Sequence, residues 1–238
     1  MKLMHKIVLG TMKLKKYFNN SKELSKFIDY AQKKGIRQFH VSSEYDSYKL
    51  LIKSLKRINT KKFTFILKLS EPKTDQVRFS LKKFEQKLNK YREDLGKKHT
   101  YIVQLVNRYK CNNPKEYLFY EKKTFDSIQS KIIKLKKAKV IKSFYFFPYH
   151  KDTNKIRKHP FIDGIISYRN QNEKQNDNFA KQNKFKIIAM RVFGGNKKIL
   201  KKKNLKKLII FNLNSKLVEK IIVGANNETQ LNQFLKVC

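Results

Sequence analysis

The sequence predicts an α/β protein that closes into a single-domain (β/α)8 barrel, the TIM barrel, spanning 1–238. Three observations predict it. Short apolar runs recur at 6–9, 38–41, 63–67, 101–106, 140–147, 162–167, 186–190 and 220–223, with helix-period segments between them. Eight strand-then-helix units at about 30 residues each have the spacing of parallel βαβ crossovers, and eight close naturally into a barrel. Several runs are continuously apolar rather than alternating, as strands covered on both faces are. An open doubly wound sheet is the alternative, because periodicity alone does not distinguish closure from openness.

The elements follow in order. The first helix carries Leu24, Phe27, Ile28 and Ala31 at i, i+3, i+4, i+7. Asn20 with Glu23 supplies its start signal, and Gly35 stops it. A second amphipathic stripe runs through Val77, Leu81, Phe84, Leu88, Tyr91 and Leu95 to Gly96. Phe125, Ile128, Ile132 and Leu135 form another, and Asn227 caps a last helix built on Leu231, Phe234 and Leu235. The polar stretches 170–178 and 197–203 read as loops or solvated helix starts, so no domain boundary divides the chain.

Composition narrows the class. Hydrophobic content of 40% with 13% aromatics suits a globular chain rather than a disordered one. No apolar run approaches a membrane span, and the apolar start at 1–9 is too short for a secretory signal. Cys111 and Cys238 make no disulfide framework and have no zinc-type spacing, so a cytoplasmic protein without a metal site is expected. The net charge of +39 comes almost wholly from lysine spread through every segment. With abundant Asn, Ile, Phe and Tyr, that is the profile of AT-rich codon drift; a basic surface is expected and a nucleic-acid partner is not.

The stretch from Gly35 to Tyr45 is the most informative. It reads as helix stop, short buried strand, then a loop carrying Tyr45 five residues after His40. In a βα barrel the loop after a strand is where chemistry sits. The order of landmarks resembles the aldo-keto reductase family, as a divergent member, across essentially the whole chain. The pieces are Leu9-Gly10-Thr11-Met12, Gly35-Ile36 through Tyr45, Lys68, Tyr101 to Leu105, Ile187-Ile188-Ala189, and Ile222-Val223-Gly224-Ala225.

That resemblance implies hydride transfer between NADP(H), with NAD(H) as the alternative, and a small-molecule carbonyl; an anionic or sugar-type substrate is in view. The family places a tyrosine acid, a lysine, an aspartate and a histidine around the carbonyl. Negative charge grows on oxygen during hydride attack, so a donor must protonate it and a nearby ammonium acidifies the phenol. Tyr45 falls on the acid's position and Lys68 on the lysine's, while His40 replaces the aspartate and Asn107 the histidine. His99 stands at the opening of its strand, the wrong end for this role.

The nicotinamide contacts also depart from the family pattern. Phe146 and Phe147 stand for its Ser-Asn pair, Ile166 for its glutamine and Met190 for its ring-stacking aromatic. The phosphate end survives as Gly194-Gly195-Asn196 with Arg191, and as Gly224-Ala225-Asn226-Asn227 with Gln230. Glycines allow close backbone approach, and helix N-terminal amides attract phosphate.

Arg108, Arg169 and Arg191 each directly follow a strand in a chain that otherwise prefers lysine. An anion-gripping rim and three scattered surface arginines are equal readings of them. Two functions follow: an oxidoreductase with an altered polar set, or a catalytically degenerate barrel kept as a ligand-binding or assembly protein.

Overall fold

The computed structural model describes residues 3–70, 79–106, 122–148, 159–194 and 202–237. Eight parallel strands close on themselves in chain order. They are β1 (Ile7–Gly10), β2 (Gln38–Val41), β3 (Thr64–Ser70), β4 (Tyr101–Val106), β5 (Ile141–Phe146), β6 (Gly164–Tyr168), β7 (Lys186–Met190) and β8 (Val218–Val223). Among the described residues seven helices surround them: α1 (Ser21–Lys33), α2 (Tyr48–Leu55), α3 (Leu81–Leu95), α4 (Lys122–Lys137), α5 (Asp177–Gln182), α6 (Lys202–Leu213) and α7 (Glu228–Leu235). The β1–β8 pairing, Ile7 with Ile221 through Leu9 with Val223, shuts the barrel and removes the open-sheet alternative.

Local signals behave as the sequence dictates. The Asn20 side chain accepts from the amides of Lys22 and Glu23, both at 3.0 Å, and Glu23 reaches back to the Asn19 amide. Gly35 and Gly96 end α1 and α3 at φ +91° and +112°, where a side chain would be strained. β3 runs to Ser70, so Lys68 lies within the strand rather than at its end. Val77 and residues 149–158, between β5 and β6, lie outside the described residues. None of the helices, among the described residues, is long and apolar enough to cross a membrane.

Strand parity sorts the core into two compartments. One set of side chains packs between barrel and helices; the other, Val8, Ile66, Ile102, Tyr145, Ile166 and Ile188 with Met190 and Ile222, fills the barrel itself. Parity turns His40, Lys68, Gln104 and Tyr168 inward as well, His40 in register with Ile66 and Gln104 with Tyr145, while Lys68 and Tyr168 lie two residues further toward the C-terminal ends of their strands than Ile66 and Ile166. From within the layer the Tyr145 hydroxyl donates to Glu219 at 2.6 Å, and Glu219 pairs with Lys220 at 3.3 Å. A register shift between Ile187 and Ile188 leaves Glu219 unpaired in the β7–β8 ladder. Gly164 gives Tyr145 its room: a Cβ there would stand 2.8 Å from the Tyr145 ring and 2.2 Å from the Lys186 carbonyl.

Candidate active site

The mouth begins with the ends of β1 and β2. Thr11, just past β1, donates through Oγ1 to the His40 carbonyl at 2.8 Å, and the Ser47 hydroxyl donates to the Thr11 carbonyl at 2.6 Å. Main-chain bonds from Tyr45 N–H to the Ser42 carbonyl, and from Tyr48 N–H to the Tyr45 carbonyl, fold the β2–α2 loop tightly around Tyr45. One face of α3 braces this loop from outside. Lys87 pairs with Glu44 at 2.9 Å and also reaches the Ser70 carbonyl, and Tyr48 donates to Asp94 at 2.7 Å. The helical spacing Lys87, Tyr91, Asp94 presents these groups to one seam.

Three of the four expected catalytic residues converge. The Tyr45 oxygen lies 3.4 Å from His40 Nδ1, and the Lys68 ammonium lies 5.6 Å from the Tyr45 ring centroid. His40 is 4% exposed. Burial, with the Lys68 charge adding to it, pushes its imidazole down to about 4 despite a hydrogen bond that favours the charged form. Burial raises the Tyr45 phenol, with Tyr91 and Tyr168 contributing. A buried phenol resists ionisation. Asn107 and Arg108 lie outside the described residues.

Sequence reasoning missed Gln104. It is 1% exposed and stands beside Lys68 in the β3–β4 ladder. Its Oε1 lies 2.7 Å from His40 Nε2, whereas its Nε2 is buried with no protein partner. The signal was present: apart from Tyr101 it is the one polar side chain in an otherwise apolar strand, and a buried polar group must be paired.

The nicotinamide side differs from the strand-by-strand expectation. Phe146 belongs to the outer layer, edge-on to Phe179 and Phe185, so it cannot line the mouth. Phe147 stands edge-on to Tyr168 with centroids 5.1 Å apart. Ile166 lies in the apolar layer. Met190 pairs with Tyr168 across β6–β7, so the aromatic ring at this corner comes from β6 rather than β7. The Arg191 guanidinium lies 4.0 Å from the Tyr168 centroid.

Arg169 is spent structurally: it is 5% exposed and grips Asp177 through Nε and Nη2, with Asn212 at 2.9 Å and Ser215 at 3.3 Å. It fastens α5 to the end of α6 and does not serve an anion-binding rim.

Where the sequence suggests a phosphate site, Gly194 takes φ +66° and closes a turn onto the Arg191 carbonyl at 2.8 Å; Gly195 and Asn196 lie outside the described residues. Gly224 has open space where a Cβ would stand, and Ala225 is fully buried. Asn227 accepts from the Gln230 amide at 2.8 Å, while Gln230 Oε1 accepts from the Asn226 amide at 3.0 Å. This reciprocal cap takes up two amides at the start of α7 and occupies the Gln230 carbonyl.

No family model and no curated protein matches the sequence. Solved structures do match in fold. A crystal structure described as a putative aldo-keto reductase from Pseudomonas aeruginosa is similar with a TM-score of 0.74 at 14% identity, over 98% of this chain and 88% of that one. An aldo-keto reductase from Bacillus halodurans in its holo form gives 0.70 at 11% identity, over 98% and 86%. A thermostable aldo-keto reductase in complex with the inhibitor epalrestat gives 0.63 at 15% identity, over 98% and 89%. The chain therefore has, over nearly its whole length, the closed barrel fold of aldo-keto reductases.

Proposed function

We propose that this protein is an NADP(H)-dependent oxidoreductase of the aldo-keto reductase type, acting on a carbonyl of a small molecule. The observation that supports this reading is the meeting of Tyr45, His40 and Lys68 at the C-terminal mouth of a barrel with that fold. Two cysteines in 238 residues suit a reducing, cytoplasmic setting.

The residues present fit a nicotinamide dinucleotide. Gly224 leaves open space above the β8–α7 turn, and the amides of Glu228 and Thr229 open α7 beyond those the cap takes up. Arg191, Gly194, Gly195, Asn196, Ala225 and Asn226 would complete the phosphate side, and Tyr168 offers a ring beside Met190. When bound, the dinucleotide supplies the hydride. The chain's own residues would then manage the proton: in the reducing direction the Tyr45 hydroxyl passes it to the carbonyl oxygen, in the reverse direction the Tyr45 oxygen takes it from the alcohol, and the Lys68 ammonium lies close enough to stabilise charge on the phenol. Asn107 would orient the carbonyl, and the Lys68 charge favours an anionic or hydroxyl-rich substrate.

A second reading, a barrel that binds ligand without hydride transfer, draws on the Arg191 guanidinium stacked on Tyr168. Titration with NADPH and NADH, followed by a panel of aldehydes, separates the two. Turnover that falls about 10²–10⁴-fold in Tyr45→Phe supports the oxidoreductase. Binding without turnover supports the second reading, and no dinucleotide binding removes the first.

A further inference from the structure

We infer that His40 is the proton acceptor for the Tyr45 hydroxyl, with Gln104 as the positioning residue that sets its tautomer, so that the resting site receives the alcohol form of its substrate. This deepens the proposed oxidoreductase and rests on it for the identity of the ligand, though not for the relay itself.

The argument is one of donors and acceptors. A carboxamide oxygen only accepts, so Gln104 Oε1 at 2.7 Å requires a hydrogen on His40 Nε2. A neutral imidazole carries one N–H, and burial together with the Lys68 charge keeps this ring neutral. Nδ1 is therefore bare, and the group facing it is the Tyr45 hydroxyl at 3.4 Å. Two bare acceptors do not pair, so Tyr45 turns its hydrogen toward His40. The phenol then offers lone pairs to the mouth. An alcohol donates to them; a carbonyl oxygen has nothing to give.

The step balances with an oxidised nicotinamide dinucleotide as the electron acceptor. The carbinol C–H bond breaks and its electron pair leaves as hydride to the dinucleotide. The alcohol proton moves to the Tyr45 oxygen while the Tyr45 proton moves to His40 Nδ1, giving a carbonyl and an imidazolium. The imidazolium, a weakly basic site when neutral, releases its proton to water. The family's aspartate is thereby replaced by an uncharged chain running from Tyr45 through His40 to Gln104, with the Lys68 ammonium kept beside it. The reversed amide is the competing arrangement. It would protonate Nδ1, turn the Tyr45 hydrogen outward and leave the Gln104 oxygen as the unpartnered atom.

The test is the 15N spectrum of histidine-labelled full-length protein at neutral pH, with the His40 signals assigned by their loss in His40→Asn. A protonated Nε2 with a bare Nδ1 is expected, and a protonated Nδ1 would overturn the inference. Gln104→Glu in its ionised form keeps an acceptor for Nε2 and is expected to keep the hydrogen on that nitrogen. Gln104→Leu removes the acceptor and is expected to lose the preference; an unchanged tautomer in that variant would also overturn it. Should Gln104→Leu fail to fold, the wild type and Gln104→Glu decide alone. The spectrum is read without turnover, so absence of dinucleotide chemistry would sink the proposed function while leaving the relay standing. With NADP+ and a panel of alcohols, Gln104→Leu is expected to oxidise at least tenfold more slowly than Gln104→Glu, and equal rates would overturn the positioning role.

Discussion

The hydroxyl of Tyr91, on α3, lies 3.1 Å from the carbonyl oxygen of Lys68 and donates to it, while its own oxygen accepts the amide of Ser43. One phenol thus joins the backbone that carries Lys68 to the loop that carries Tyr45. The ring is 1% exposed and edge-on to Tyr48, so packing holds the hydroxyl in place. Tyr91→Phe keeps the ring and deletes the link. It is expected to cost about 1–2 kcal/mol, read as a lower urea midpoint with unchanged slope, and to slow turnover more than it weakens dinucleotide binding.

Acid exposes the cost of keeping His40 neutral. Its folded value is about 4 against an ordinary 6.5, so between these limits the unfolded chain binds the extra proton. The contribution is whole above pH 6.5 and is lost as pH falls toward 4, at most about 1.4 kcal/mol per unit. The groups facing the imidazole are the Lys68 ammonium on β3 and the Tyr45 phenol, with neutral Gln104 on β4. Unfolding midpoints measured from pH 7 to 4.5 should drop steeply for wild type and less so for His40→Asn. His99, also lowered by burial, leaves a residual slope.

Arg169 makes a different demand. Its side chain is 6% exposed and its partner Asp177 22% exposed. Removing one member strands the other, so Asp177→Ala or Arg169→Ala should destabilise by about 3–5 kcal/mol. Thermal unfolding checks the loss, and NADPH affinity at a temperature where the variant stays folded should hardly change. A large affinity loss there would return Arg169 to the ligand rim.

Gly164 tolerates no side chain. A methyl group 2.2 Å from the Lys186 carbonyl must move the β6–β7 ladder itself, since the obstacle is backbone. Gly164→Ala should cost more than the about 1–3 kcal/mol usual for overpacking, and soluble yield with urea unfolding measures it.

These residues also mark what the sequence discloses. Helix periods, Gly35, Gly96 and Asn227 announced α1, α3 and α7, because caps and stripes are local. His40, Tyr45 and Lys68 stand out through the order of landmarks that resembles the aldo-keto reductases, and the short β2–α2 loop is what brings Tyr45 back to His40. Gln104 hid inside an apolar strand, its meaning set by a histidine 64 positions away. Arg169 reads equally as a rim residue or a scattered surface arginine, and it is neither, because α5 and the end of α6 bring Asp177, Asn212 and Ser215 to it in the interior. The swap of the corner aromatic from β7 to β6 depends on barrel stagger, which no single run of residues encodes.

The barrel interior holds the apolar residues Val8, Ile66, Ile102, Ile166, Ile188 and Ile222 together with Tyr145, which stands in register with Gln104 on the neighbouring strand and carries Glu219 on its hydroxyl. That adjacency joins the mouth to the Glu219–Lys220 pair, so a double-mutant cycle of Gln104→Leu with Tyr145→Phe, read by urea unfolding, should depart from additivity.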